Sequence, residues 1–155
     1  MDEVKLLENN SDSQETVQYI VVKIGNEQYG INIKYIDNIV RNQRITRVPK
    51  SQKYFKGVIN LRGEVMPVMS IRLKLDLDDD EYTDKTRIII IKIESATIGV
   101  IVDQVKEVVT LTEADIEKVQ HNPTSENTTG FISAIGKSKG ELISLLDIVS
   151  LIEEG

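Results

Sequence analysis

Tyr29-Gly-Ile-Asn-Ile-Lys-Tyr-Ile-Asp-Asn-Ile-Val40 is matched without a gap by Ile98-Gly-Val-Ile-Val-Asp-Gln-Val-Lys-Glu-Val-Val109. Apolar residues alternate through both stretches, and Gly30 and Gly99 fall at the same step of the alternation. The likeness extends in both directions. Upstream, Ile20-Val-Val-Lys-Ile24 answers Ile89-Ile-Ile-Lys-Ile93. Downstream, Gly63-Glu-Val-Met-Pro-Val-Met-Ser-Ile71 answers Gly140-Glu-Leu-Ile-Ser-Leu-Leu-Asp-Ile148. The chain therefore carries one strand pattern twice.

Within the first copy, Tyr19 to Ile24 and Gln28 to Ile33 read as a hairpin about the turn residues Gly25-Asn26-Glu27. Ile36 to Val40 is a further short strand, with room for a helical turn at Lys34-Tyr35. Phe55 to Leu61 and Glu64 to Ile71 form a second hairpin turned at Arg62-Gly63. Pro67 has no N–H to give, which predicts a sheet edge or a bulge there. Each copy thus holds about five short strands, enough for a small barrel, and closure removes exposed edges. A barrel of this size is marginal alone, so two are expected to share a core. The fold class is mainly β: two five-stranded barrels on a common hydrophobic core, with one or two short helices. The first repeat spans about 17–75 and the second about 86–155, with 76–84 an acidic, solvated linker and strand exchange between copies open. Residues 1–15 are polar and without period, and are expected to be a disordered tail. Thr112 before Glu113 predicts a helix over 111–119, and Asp147 caps another from Ile148.

Composition narrows the chemistry. There is no Cys, which removes disulfides, thiolate metal sites and cysteine nucleophiles. His121 has no second His or Cys as a metal partner and reads as a surface residue. Asp76-x-Asp78-x-Asp80 lacks the glycine and the terminal glutamate of a calcium loop. No catalytic residue, metal or cofactor is expected. The start, Met1-Asp2-Glu3-Val4-Lys5, is not that of a signal peptide, and no apolar run nears the ~20 residues that span a bilayer. A soluble, cytoplasmic chain without membrane insertion is expected.

The net charge of −6 argues against nucleic acid as a partner. Its distribution is uneven, because Arg41, Arg44, Arg47, Lys50, Lys53, Lys56 and Arg62 follow one another with no intervening Asp or Glu. That run suits docking to an acidic protein face. The competing reading is a small-barrel nucleic-acid binder using 41–62, which has only Tyr54 and Phe55 nearby for base stacking. The hairpin tip offers Asn60 and Arg62, whose guanidinium can grip a partner's carboxylate or carbonyls. Lys139 stands at the same place in the second copy. Gly30 and Gly99 are expected to be equivalent, either with an unusual φ or admitting a close neighbouring strand.

Tyr29-Gly-Ile, Gly57-Val-Ile-Asn-Leu-Arg-Gly63 with Pro67-Val68 and Ile71-Arg72, and Gly99-Val-Ile-Val-Asp103-x-Val105 together resemble the chemotaxis coupling proteins of the CheW-like domain family. The resemblance covers about residue 17 to the end, and Gly57 and Gly63 join Gly30 and Gly99 as its structural glycines. It implies SH3-like barrels and a non-catalytic adaptor in two-component signalling. The adaptor would bridge the regulatory domain of the CheA histidine kinase and the cytoplasmic tip of methyl-accepting chemoreceptors, recruited to membrane-associated arrays. By that resemblance Ile36, Asn38 and Ile39 face the kinase, while Asn60, Arg62 and Val105 face the receptor. Two departures stand out: the position of Asn38 is commonly acidic in relatives, and the loop Gln120-His-Asn122 is polar where relatives can place an apolar contact.

Overall fold

The strands of one copy do not close on themselves. In the computed structural model, which describes residues 15–119 and 130–153, β1 (Thr16–Ile24) and β2 (Glu27–Asn32) join one sheet. β3 (Ile36–Arg41), β4 (Phe55–Leu61) and β5 (Glu64–Ser70) join the other. The second copy divides the same way: β6 (Arg87–Ile93) and β7 (Ala96–Val102) leave β8 (Gln104–Thr112), β9 (Ile116–Lys118), β10 (Ile132–Ser138) and β11 (Glu141–Leu146). The sheet orders are β8-β1-β2-β11-β10-β9 and β3-β6-β7-β5-β4. Each barrel therefore takes its first two strands from one copy and the rest from the other, so the expectation that each copy closes its own barrel is replaced by strand exchange. The equivalences survive the exchange. Gly30 lies beside Leu145 on the parallel pair β2–β11, and Gly99 beside Val68 on the parallel pair β7–β5.

Each sheet closes through the chain that follows its edge strand. After β3, Thr46 exchanges two 2.8 Å backbone hydrogen bonds with Val58 of β4; after β8, β9 pairs with β10. Alternation then sorts the side chains into three cores. Ile88 and Ile90 of β6 enter one lumen with Ile59, Met66, Val68 and Ile101. Val21 of β1 enters the other with Val109, Leu111, Ala134, Ile143 and Leu145. The opposite faces, Ile89 and Ile91 on β6 and Ile20, Val22 and Ile24 on β1, meet in a core shared by the barrels. β1 and β6 are buried on both faces, which is why both read as near-continuous apolar runs. Burying one such isoleucine is worth roughly 2 kcal/mol.

Two short helices close over the shared core: α1 (Ile71–Lys74) and α2 (Ile148–Glu153). Their caps are equivalent. Ser70 Oγ accepts from the Leu73 N–H, and Asp147 Oδ1 from the Ser150 N–H.

Three local expectations are corrected. The helix foreseen over 111–119 is only one 3₁₀ turn, Glu113–Asp115, since Ile116 returns to strand geometry to pair with Gly136 and pack in the second lumen. Pro67 is neither on an edge strand nor in the bulge, because β5 lies between β7 and β4 and the bulge falls between Phe55 and Gly57. Its missing N–H is harmless for another reason. Val58 opposite turns its own N–H and C=O to Thr46, and pairing with β7 begins only at Val68. The linker 76–84 is not simply solvated either: the Asp80 side chain is only 2% exposed, with the Lys56 ammonium 4.0 Å away. The tail through residue 14, His121 and the 120–122 loop lie outside the described residues.

Candidate partner-binding surfaces

β3 runs along the edge of its sheet, paired only with β6. Its register shifts between Ile36, opposite Ile91, and Asn38, opposite Ile90, leaving Asp37 as the bulged residue. Ile36 and Ile39 are half-buried against the shared core. Asn38, also half-buried, turns its side-chain oxygen onto the Ile39 N–H at 2.8 Å. The second copy carries the same bulge, with Val105 opposite Val22 and Glu107 opposite Val21. Ile36 and Val105 are thus one position seen twice, and so are Asn38 and Glu107.

The β4–β5 hairpin turns on Arg62 (φ 55) and Gly63 (φ 83), both left-handed, the type I′ geometry that matches strand twist. Lys139 (φ 54) and Gly140 (φ 80) repeat it between β10 and β11. Asn60 has a job inside the turn: its Oδ1 accepts from the Gly63 N–H at 3.0 Å. Beside it Val65, opposite Asn60, is 63% exposed, an apolar contact surface that alternation alone did not single out.

The two tips differ in electrostatics. Lys139 Nζ lies 3.4 Å from Glu107 Oε1. Where the second copy has Glu107 the first has Asn38, and among the described residues the Arg62 guanidinium has no ion pair. An exposed Lys–Glu pair contributes only about 0–1 kcal/mol, but it occupies the charge at one tip and leaves the other open.

Val105, the second residue of β8, is half-buried on the shared core and lines a notch with Gln104, Lys85 and Arg87. Arg87 spends one nitrogen on the carbonyls of Asp84 (3.0 Å) and Thr86 (2.8 Å), so its charge is oriented but not neutralised. Just before β8, Asp103 receives two hydrogen bonds from Arg72, Nε to Oδ1 at 3.0 Å and Nη2 to Oδ2 at 2.7 Å, and a third from the Gly25 N–H at 2.8 Å. Burial alone would raise the Asp103 carboxyl; the bonds from Arg72 and Gly25 outweigh it and hold the group below its ordinary value. Ile36, Ile39 and Val105 all rest on one core, whereas Asn60 and Arg62 stand apart on the hairpin tip.

Residues 18–155 match the CheW-like domain. The chain belongs to the CheW-like family. Its CheW-like sequence is 36% identical over 135 residues to chemotaxis protein CheW of Bacillus subtilis, covering 87% of this chain and 86% of that one. It is 32% identical over 143 residues to chemotaxis protein CheW of Helicobacter pylori, covering 92% and 86%. The fold is that of the scaffolding protein TtCheW from Thermoanaerobacter tengcongensis, with a TM-score of 0.80 at 28% identity over 90% of this chain and 94% of that one. The chain is accordingly a chemotaxis scaffold or adaptor of the CheW-like type. Among the described residues no helix is long and apolar enough to cross a membrane.

Proposed function

We propose that this chain couples methyl-accepting chemoreceptors to the CheA histidine kinase, as a cytoplasmic adaptor with no catalysis of its own, recruited to membrane-associated receptor arrays. The kinase's regulatory domain meets β3 through Ile36, Asn38 and Ile39. The receptor's cytoplasmic tip meets the hairpin at Asn60 and Arg62 and the groove at Val105. The observation that carries this reading is the unmatched Arg62 guanidinium on a rigid turn, when the equivalent Lys139 is already paired with Glu107. A guanidinium can form two parallel hydrogen bonds to a carboxylate or backbone carbonyls. Asn60 also holds that turn, its Oδ1 accepting from the Gly63 N–H. Ile36 and Ile39 supply half-buried aliphatic surface on a bulged edge strand, suited to packing against another small barrel.

The test is reconstitution from three purified components: this chain, the kinase regulatory domain and a receptor-tip fragment. Size-exclusion chromatography should show each binary complex and a ternary one. Binding to neither partner, or mutually exclusive binding of the two, contradicts the reading.

A further inference from the structure

We propose that the segment between β3 and β4, with the start of β4 and α1, forms a third docking groove, which takes an extended acidic segment of a partner protein. The groove lies at the far end of β4 from Arg62. Phe55 and Leu61 end that strand, about 20 Å apart at the rise of a β-strand. Its volume is about 500 Å³, within the range of ligand and peptide sites. Val48, Phe55 and Leu73 give it apolar walls, and Arg47, Lys50 and Lys56 give it charge. A second recess, lined by Asn42, Ile45 and Tyr82, continues from it and shares Arg47 and Lys56.

The cations fall into two sets. On one flank the protein's own acidic segment already lies against them: Lys56 Nζ is 2.7 Å from Asp79, and Lys53 Nζ 4.0 Å from Asp76. The hydrogen bond from Lys56 holds the Asp79 carboxyl below its ordinary value. Elsewhere on the lining Arg47 and Lys50, and beside it in the chain Arg41 and Arg44, are all exposed and, among the described residues, none is in an ion pair. Four unmatched cations in a protein of net charge −6 are a local reversal of its field. The seated linker shows which chemistry fits: a chain carrying carboxylates at short intervals. The apolar walls favour a peptide whose acids alternate with aliphatic side chains. The residues that line the groove lie outside β3, the hairpin tip and the Val105 notch, so it adds a partner contact to those already assigned.

The experiment measures fluorescence anisotropy of a labelled peptide of alternating Glu and Leu, titrated with the full chain at low and at physiological salt. Three forms are compared: the natural sequence, the reversal Arg44→Glu/Arg47→Glu/Lys50→Glu, and the charge-matched control Lys92→Glu/Lys118→Glu/Lys137→Glu at exposed cations elsewhere. The milder Arg47→Gln/Lys50→Gln is carried in parallel, and melting curves check that each form folds. Binding that weakens with salt, falls at least tenfold in the first triple and threefold or more in the double, and holds in the control supports the groove. Absence of binding, or equal loss in both triples, overturns it. Tighter binding of single-stranded RNA than of the peptide also overturns it, making the surface a nucleic-acid site.

Discussion

Arg72 and Asp103 face each other in a bidentate pair, at 3.0 and 2.7 Å, that ties the helix closing the first repeat to the bend leading into β8. Through Asp103 the pair also reaches Gly25 at the β1–β2 turn. Three stretches far apart in sequence are held at one point beside the Val105 notch. Both side chains are mostly covered, 17% and 26% exposed.

Arg72→Lys should therefore destabilise the fold by about 1–3 kcal/mol, since a lysine cannot supply both donors and leaves a covered carboxylate short of hydrogen bonds. Urea unfolding at neutral pH measures it. The sign with pH follows from the depressed Asp103 group. Its contribution is complete above the ordinary carboxylate value of 3.8 and is lost as pH falls below it. The gap between natural protein and Arg72→Lys should narrow as pH falls from 3.8 through the lowered Asp103 value. A difference that stays constant as the carboxyl is protonated would mean that the arginine acts through packing alone.

Asp80 behaves oppositely. Burial raises its carboxyl above the ordinary value, and the Lys56 ammonium 4.0 Å away offsets it only in part. Neither oxygen has a hydrogen-bond partner among the described residues. A raised folded pKa makes the folded state bind the proton more tightly, so this group's contribution to stability grows as pH falls through the folded value and is complete at the unfolded one. Asp80→Asn removes the charge at nearly constant shape. It should raise stability at pH 8 by on the order of 1 kcal/mol and flatten the gain on mild acidification. A loss of stability at pH 8 would show that the carboxylate is ionised and held by Lys56.

The glycines divide by what a side chain would strike. At Gly30 an added Cβ comes 2.8 Å from Leu145 Cδ2, and at Gly99 2.7 Å from Ile88 Cγ2, both side-chain methyls rather than backbone. At Gly57 it would run into the Thr46 carbonyl oxygen, on backbone with φ +139. Gly30→Ala and Gly99→Ala should cost similar amounts, about 1–3 kcal/mol of overpacking. Gly57→Ala should exceed both, because it breaks the Thr46–Val58 closure. Chemical denaturation of the three variants ranks them; Gly57→Ala as the mildest would contradict the barrel closure described here.

The strands, their hairpins and the duplication are legible because each face of each strand is settled by burial, which imposes the two-residue alternation. The partners of those strands are not. Ile20 to Ile24 and Ile89 to Ile93 have the same pattern, so alternation cannot tell which copy's β3 or β8 each will join. The segment 111–119 misleads because Thr112 followed by Glu113-Ala114-Asp115 is good helix-start chemistry. Only Ile116, drawn into the second lumen, ends that turn after three residues. Asp80 sits in a run of acids that reads as solvated, and only the three-dimensional path turns it inward. Arg72 and Asp103 both belong to the motifs that carry the family resemblance, yet nothing local to either predicts that they meet. The Arg62–Lys139 equivalence is visible in the repeat; the difference between them depends on Glu107 standing where the first copy has Asn38.

That difference offers the most direct measurement. A labelled receptor-tip fragment is titrated with the natural chain, Arg62→Ala and Lys139→Ala, each checked by thermal melting. Arg62 is exposed and, among the described residues, without an ion pair, so its truncation should leave the melt nearly unchanged, while receptor affinity falls at least about tenfold, or 1.4 kcal/mol. Lys139→Ala, which loses only the exposed contact to Glu107, should bind within about twofold of the natural chain. Equal loss in both variants, or natural affinity in Arg62→Ala, would contradict the assignment of the first hairpin to the receptor.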